Sequence, residues 1–184
     1  MSRFPTPDSS DQPVLVPVDF EPAARAALIF GARLAAFTGV PLKILHVVHD
    51  PGDRPGYYRR HGESDLTMPV ERLARSMLGE FVLDILQDHP DLKALEEPDI
   101  LLVEGIPSTR IPEVARRIGA GLIAMGHNKT RGIFGDLLTS LSERVAHKSG
   151  IPVTLVYANG ESEDLAAVAN TGRRPVDRGM VPGA

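Results

Sequence analysis

Residues 124–140, AMGHNKTRGIFGDLLTS, concentrate the side-chain types that hold phosphate. An apolar run ends at Gly126, a polar loop carries His127, Lys129 and Arg131, and Thr139 and Ser140 stand in the first turns of a following helix. Lysine brings a full charge and three donors. Hydroxyls in a first helical turn lie beside free backbone N–H groups and the positive end of the helix dipole. Gly132 and Gly135 keep the loop pliable. Lys129 cuts both ways, because its side chain can bind an anion or fill the space a glycine would leave for one. A second chemical group, the carboxylate of Asp19, follows Pro17 and Val18 at the end of another apolar run.

Other candidates read more plainly. His46 and His49 are three apart, which on a strand puts them on opposite faces and argues against a shared metal. His46 is read as a hydrogen-bonded residue at the end of a sheet. His127 faces the same crevice as Gly126 and is read chiefly as a loop-stabilising group, with phosphate or ribose contact as the alternative. Residues 54–61 (RPGYYRRH) mix cations and aromatics as single-strand nucleic-acid grooves do, but the stretch is short and the chain acidic, so a solvated loop or lid is the better reading. No G-x-S-x-G, Walker A or H-E-x-x-H pattern occurs, and no catalytic or metal-ligating residue is assigned.

The elements that would position these groups are legible in the pattern. Residues 14–18 (VLVPV), 42–48, 99–103, 121–125 and 152–157 are short apolar runs, as expected of strands covered on both faces. Between them lie amphipathic stretches. The first follows Pro22 and contains Gly31, whose cost within a helix is explained by a close approach to the sheet. The second, from 68 to 88, repeats Val70, Leu73, Met77, Phe81 and Ile85 at helical spacing, with Glu71, Arg72, Arg75 and Glu80 on a solvated face. The third starts at Pro107 and puts Ile111, Val114, Ala115 and Ile118 on one side, and the fourth runs from 136 to 148. Residues 50–67 read as a long loop. Alternating strands and helices predict an α/β domain with one parallel sheet and helices on both faces. Ligands in such folds sit beyond the carboxyl ends of the strands where strand order reverses.

Bulk properties bound the rest. The 184 residues allow one sizeable domain, predicted over 13–158, between a flexible lead at 1–12 and a disordered tail at 159–184. The formal net charge of −4 argues against nucleic-acid or anionic-membrane partners. The chain has no cysteine and no apolar run of membrane-spanning length, so a cytoplasmic protein is expected.

Strand one (VLVPVDFEPAARAAL), strand two (LKILHVV), the strand-four segment (LIAMGHNKTRG) and the stretch VEGIPSTRIPEVARRIGAGLIAMG together resemble the universal stress protein family, over about residues 14–157. The resemblance implies a five-stranded parallel sheet ordered 3-2-1-4-5, a homodimer through the last strand (152–157), and in one subgroup ATP, with magnesium at its phosphates, in the β1/β4 crevice. That subgroup's pattern is glycine, two residues, glycine, nine residues, then glycine followed by serine or threonine. Here the positions are Gly126, Lys129, Thr139 and Ser140, so one glycine of three and the final hydroxyl are kept. By this resemblance Pro17 and Asp19 would frame base and sugar. Gly126, Lys129, Thr139 and Ser140 would surround the phosphates with His127 and Arg131, and Val18, Val47, Met125 and Leu141 complete the candidate set. The implied role is a regulatory or protective stress-response module with a degenerate adenine-nucleotide site. The alternatives are a member that has lost the nucleotide and works through an unknown protein partner, and a weak ATPase.

Overall fold

The computed structural model describes residues 12–49, 70–127 and 141–165. In chain order the elements are β1 (Val14–Pro17), α1 (Pro22–Thr38), β2 (Leu42–Val48), α2 (Val70–Asp88), a 3-10 turn (Lys93–Leu95), β3 (Asp99–Glu104), α3 (Pro107–Arg117), β4 (Leu122–Gly126), α4 (Leu141–Ser149), β5 (Val153–Val156) and β6 (Ser162–Leu165). The sheet runs β3-β2-β1-β4-β5-β6. Its first five strands are parallel and ordered as the sequence predicts. β6 is an addition, antiparallel to β5, built from the first residues of the predicted disordered tail.

Alternate side chains of each parallel strand feed two separate apolar layers. Val14, Val16, Ile44, Ala124 and Val156 meet α1 and α2 on one face. Leu15, Leu45, Val47, Ile123, Met125, Val153 and Leu155 meet α3 and α4 on the other. This double cover is why the strands are uninterrupted apolar runs. Arg25 of α1 pairs with Asp84 and with Asp88, the latter at 2.5 Å, and so ties α1 to α2. Among the described residues no helix is long and apolar enough to cross a membrane.

Two expectations about helix α2 and the tail need correction. The most buried residues of α2 are Ala74, Leu78, Val82 and Ile85; Leu73, Met77 and Phe81 are only partly buried, and Val70 is exposed. The apolar stripe is wide, and the helix docks on its alanine side because small Ala74 permits a closer approach than Leu73. The tail's beginning is ordered because its backbone completes a ladder, which requires no apolar side chain. The predicted N-terminal part of the fourth helix and the 50–67 loop lie outside the described residues.

Two features fix the end of β1. Gly31 lies against the sheet so closely that a Cβ there would be 2.5 Å from Val16 Cγ2. Beyond β1, Phe20 adopts φ +66°, a left-handed conformation unusual for an aromatic residue. Its ring packs 4.6 Å from the His46 ring and edge-on at 5.7 Å to Phe81. His46 itself is buried and its Nδ1 lies 2.7 Å from Val18 O. A carbonyl only accepts, so Nδ1 carries the proton of a neutral ring. Burial is the main cause that lowers the His46 pKa, with the nearby His49 acting in the same direction and the Val18 bond opposing it.

Two measurements check this packing. Gly31→Ala forces a contact that overpacking puts at about 1–3 kcal/mol, against a helix-propensity gain near 1 kcal/mol, so its urea midpoint should fall. Gly79→Ala in α2 meets nothing within 4 Å and should raise it. For His46 the folded pKa lies below the unfolded one, so its contribution to stability is complete above pH ~6.5 and declines as pH falls through the folded value. His46→Phe should reduce the acid-side slope of stability against pH by up to about 1.4 kcal/mol per pH unit.

Candidate functional site

Strand order reverses between β1 and β4, which are neighbours in the sheet and hydrogen-bond in parallel. From β1 the chain leaves into α1 on one face, and α4, the next helix after β4, lies on the other. The two departures leave a crevice at the carboxyl ends of these strands. The structure brings Pro17, Val18 and Asp19 to one wall, Val47 to the adjoining strand, and Met125, Gly126 and His127 to the opposite wall, with Leu141 at the start of α4. Lys129, Arg131, Thr139 and Ser140 lie outside the described residues. The base-and-sugar end of the predicted site is therefore described, and the phosphate end is not.

The side chains in this set do different things. Val18 is buried in the layer under α1 and α2, and Val47 and Met125 in the layer under α3 and α4. Asp19 is exposed, and its Oδ1 accepts a hydrogen bond from Glu21 N at 3.2 Å. That local bond closes a turn over Phe20 and leads into α1, whose cap residue Glu21 makes no side-chain cap of its own. The strained Phe20 conformation and the Asp19 turn are thus one device, held by the His46 and Phe81 rings.

Gly126 has a reason of its own. A Cβ there would lie 2.6 Å from the carbonyl carbon of Ala23 and from Ala24 N. The first turn of α1 crosses the end of β4 so closely that only glycine fits. This glycine, the first of the phosphate pattern, is required by packing with or without a ligand. The same crossing brings the N-terminal turn of α1, the positive end of its dipole, to the crevice.

His127 is clamped from three sides. Its backbone N–H donates to Val156 O at 2.9 Å, Nδ1 lies 3.3 Å from Oγ of buried Ser142 in α4, and its ring meets Tyr157 edge-on at 5.4 Å. Tyr157 in turn donates its hydroxyl to Glu163 Oε2 at 2.9 Å, a bond to a carboxylate that raises the tyrosine pKa. This agrees with the loop-stabilising reading of His127. Ser142, Tyr157, Phe20 and Phe81 were not among the candidate crevice residues in the sequence. Ser142 and Tyr157 lie within the predicted helix at 136–148 and strand at 152–157, but nothing in their spacing announces that both converge on His127. Among the described residues, no group of three or more histidines and acids could hold a metal.

Comparison with known proteins agrees with this fold. The universal stress protein family model matches residues 12–157. A universal stress protein of Mycolicibacterium smegmatis is 31% identical over 144 residues, which are 78% of this chain and 45% of that protein. The chain thus spans about half the length of that relative. A solved universal stress protein in complex with cAMP superposes with a TM-score of 0.51 at 23% identity, covering 82% of this chain and 99% of its own. Another, from Archaeoglobus fulgidus in complex with dAMP, has a TM-score of 0.51 at 23% identity, with coverages of 79% and 98%. These two likenesses bear on the fold. With the family model matched from the residues before β1 to the one after β5, the chain belongs to the universal stress protein family.

Proposed function

We propose that this chain is a stress-response binding module that takes an adenine nucleotide in the β1/β4 crevice and does not turn it over efficiently. The observation that carries the reading is the turn at the end of β1. A strained Phe20, pinned by two rings, shapes the turn that presents Asp19 just beyond the carboxyl end of β1, and this supports its role in the crevice. Backbone strain of this kind needs surrounding structure to maintain it, and it clusters where a side chain must be aimed. The described walls suit a base and a sugar, with apolar Val18, Val47 and Met125 at or beside the strand ends and a carboxylate able to accept from hydroxyl or amino groups.

The two nucleotide-bound structures of similar fold support an adenine nucleotide as the ligand class. ATP with magnesium is the finer form of the proposal, and it depends on Lys129 and Thr139 serving where the phosphate pattern has glycine. The cysteine-free sequence fits a cytoplasmic setting for such a module.

A second reading, in which the nucleotide is lost and the module works through protein contacts, is favoured by Lys129 and Thr139 standing where the phosphate pattern has glycine, and the kept Gly126 does not speak against it. Packing against Ala23 and Ala24 would retain this glycine in either case. A weak ATPase is the remaining alternative, and it predicts phosphate release above that of heat-inactivated protein.

Calorimetric titration of extensively dialysed protein with AMP, cAMP and magnesium ATP decides between the readings. Asp19→Ala should weaken binding about 10- to 100-fold, the loss expected for a hydrogen bond to a charged group. Asp19→Asn keeps the acceptor for Glu21 N and separates the turn from the charge. No heat with any of the three nucleotides would sink the proposal and leave the protein-contact reading. Gly126→Ala should destabilise the fold by several kcal/mol, since a Cβ there meets backbone, and its loss of binding should track its loss of folded protein.

A further inference from the structure

The outer edge of β5 carries an observation that the nucleotide reading does not use. β5 is apolar and fully buried along its length. It would be the last parallel strand of the sheet, but β6 pairs antiparallel along it, Thr154 opposite Asp164 and Leu155 opposite Glu163. The residues that make this cover are unlike those beneath it. Ser162, Glu163 and Asp164 are all exposed. They add no apolar side chain to either layer, and beyond the ladder two side-chain bonds hold them, Thr154 Oγ1 to Asp164 Oδ1 at 2.5 Å and Tyr157 Oη to Glu163 Oε2 at 2.9 Å.

Magnitudes show how such a cover behaves. A ladder or side-chain hydrogen bond contributes roughly 0.5–1.5 kcal/mol net, and ordering each backbone residue costs about 1–2 kcal/mol. For the three residues whose burial is described, Ser162, Glu163 and Asp164, the gain and the cost are therefore close to balance. The turn that returns the chain is tight, with Tyr157 N bonded to Glu161 O at 2.8 Å and Gly160 at φ +84°, which disfavours exchange of β6 into a neighbour. A strand already ordered in another sheet pays no such ordering cost.

A second copy of this chain offers that strand. About a two-fold axis through the middle of β5, Val153 would face Val156 and Thr154 would face Leu155. These are β-branched and apolar pairs of the kind that stabilise antiparallel ladders, whereas serine and two acids fill three of the four β6 positions. That edge already accepts an antiparallel strand in this structure. Beside it, an open groove of about 530 Å³ runs between the β5–β6 turn at Ala158, Asn159 and Gly160 and an apolar strip of α1 that includes Ile29, Phe30 and Phe37, the last 90% exposed. The exposed outer side of β6, by contrast, carries Glu163 and Asp164 beside Glu161, and like charges blunt it against pairing with its own copy.

We propose that β6 is a detachable cover on an interface, and that removing it lets two copies pair through their β5 edges into one continuous sheet. The homodimer expected from the last strand is then in competition with the chain's own tail, and the tail sets its strength.

The absence of cysteine makes a direct test available in the full chain. Directly opposed antiparallel residues have Cα atoms about 4.5–5.5 Å apart, within the range a disulfide spans, so Thr154→Cys with Asp164→Cys should lock β6 in place when oxidised. Sedimentation equilibrium should show the oxidised protein associating at least tenfold more weakly than the same protein reduced. Asp164→Ala is an exposed change that removes the Thr154 bond without touching the core, and it should strengthen association several-fold over the native chain. Equal association in the oxidised, reduced, Asp164→Ala and native proteins would overturn the proposal, whatever nucleotides the crevice binds.

Discussion

The closeness of α1 to the sheet is the constraint on which the rest of this domain depends. At mid-helix the contact is so tight that Gly31 stands 2.5 Å, in Cβ terms, from a Val16 methyl. At its first turn the helix backbone crosses the end of β4 where only Gly126 leaves room. Helix dipoles, loop departures and the crevice all follow from that crossing. It sets the N-terminus of α1 beside the switch point of the sheet, and it gives β4 its exit direction toward His127. A looser helix would bury the same apolar residues but would not define the same cleft. Interiors packed to crystal density respond to small volume changes in this way.

Against that rigid base the turn at the end of β1 is held by a different kind of force. Phe20 is strained, and strain persists only where neighbours over-determine it. Here the His46 ring lies tilted against one side, Phe81 meets it edge-on, and His46 also bonds the carbonyl of Val18. One neutral, buried histidine thus fixes two consecutive pieces of backbone. Asp19, exposed beyond this turn, accepts the local bond from Glu21 N that leads the chain into α1. Across the crevice, Ser142 and Tyr157 hold His127, so each wall has its own support from outside the ligand space.

The β5–β6 edge shows the opposite balance. Ladder bonds and two carboxylate contacts make it, with no described apolar side chain added to the core. Tyr157 belongs to both regions, since one end of its side chain meets Glu163 of the cover and its ring meets His127 of the site. Occupation of the edge and order at the crevice are therefore in physical contact through one side chain.

The sequence by itself determined the α/β class and the places of the five parallel strands, while their order followed from the family resemblance. It could do so because strands covered on both faces must be continuous apolar runs, and because alternating strands and helices leave few topologies. It also marked Gly31 as a place of close approach, since a helix keeps glycine only at a cost. Only the tertiary structure decided the rest. Which side of the wide α2 stripe is most buried depends on how closely Ala74 can approach the sheet, and composition does not encode that distance. The conformation of Phe20 arises from rings that are far apart in sequence. Gly126 could be read as part of a phosphate loop until α1 was seen to cross it. β6 was illegible because its acids satisfy a backbone ladder, and a ladder forms from groups that every residue carries alike.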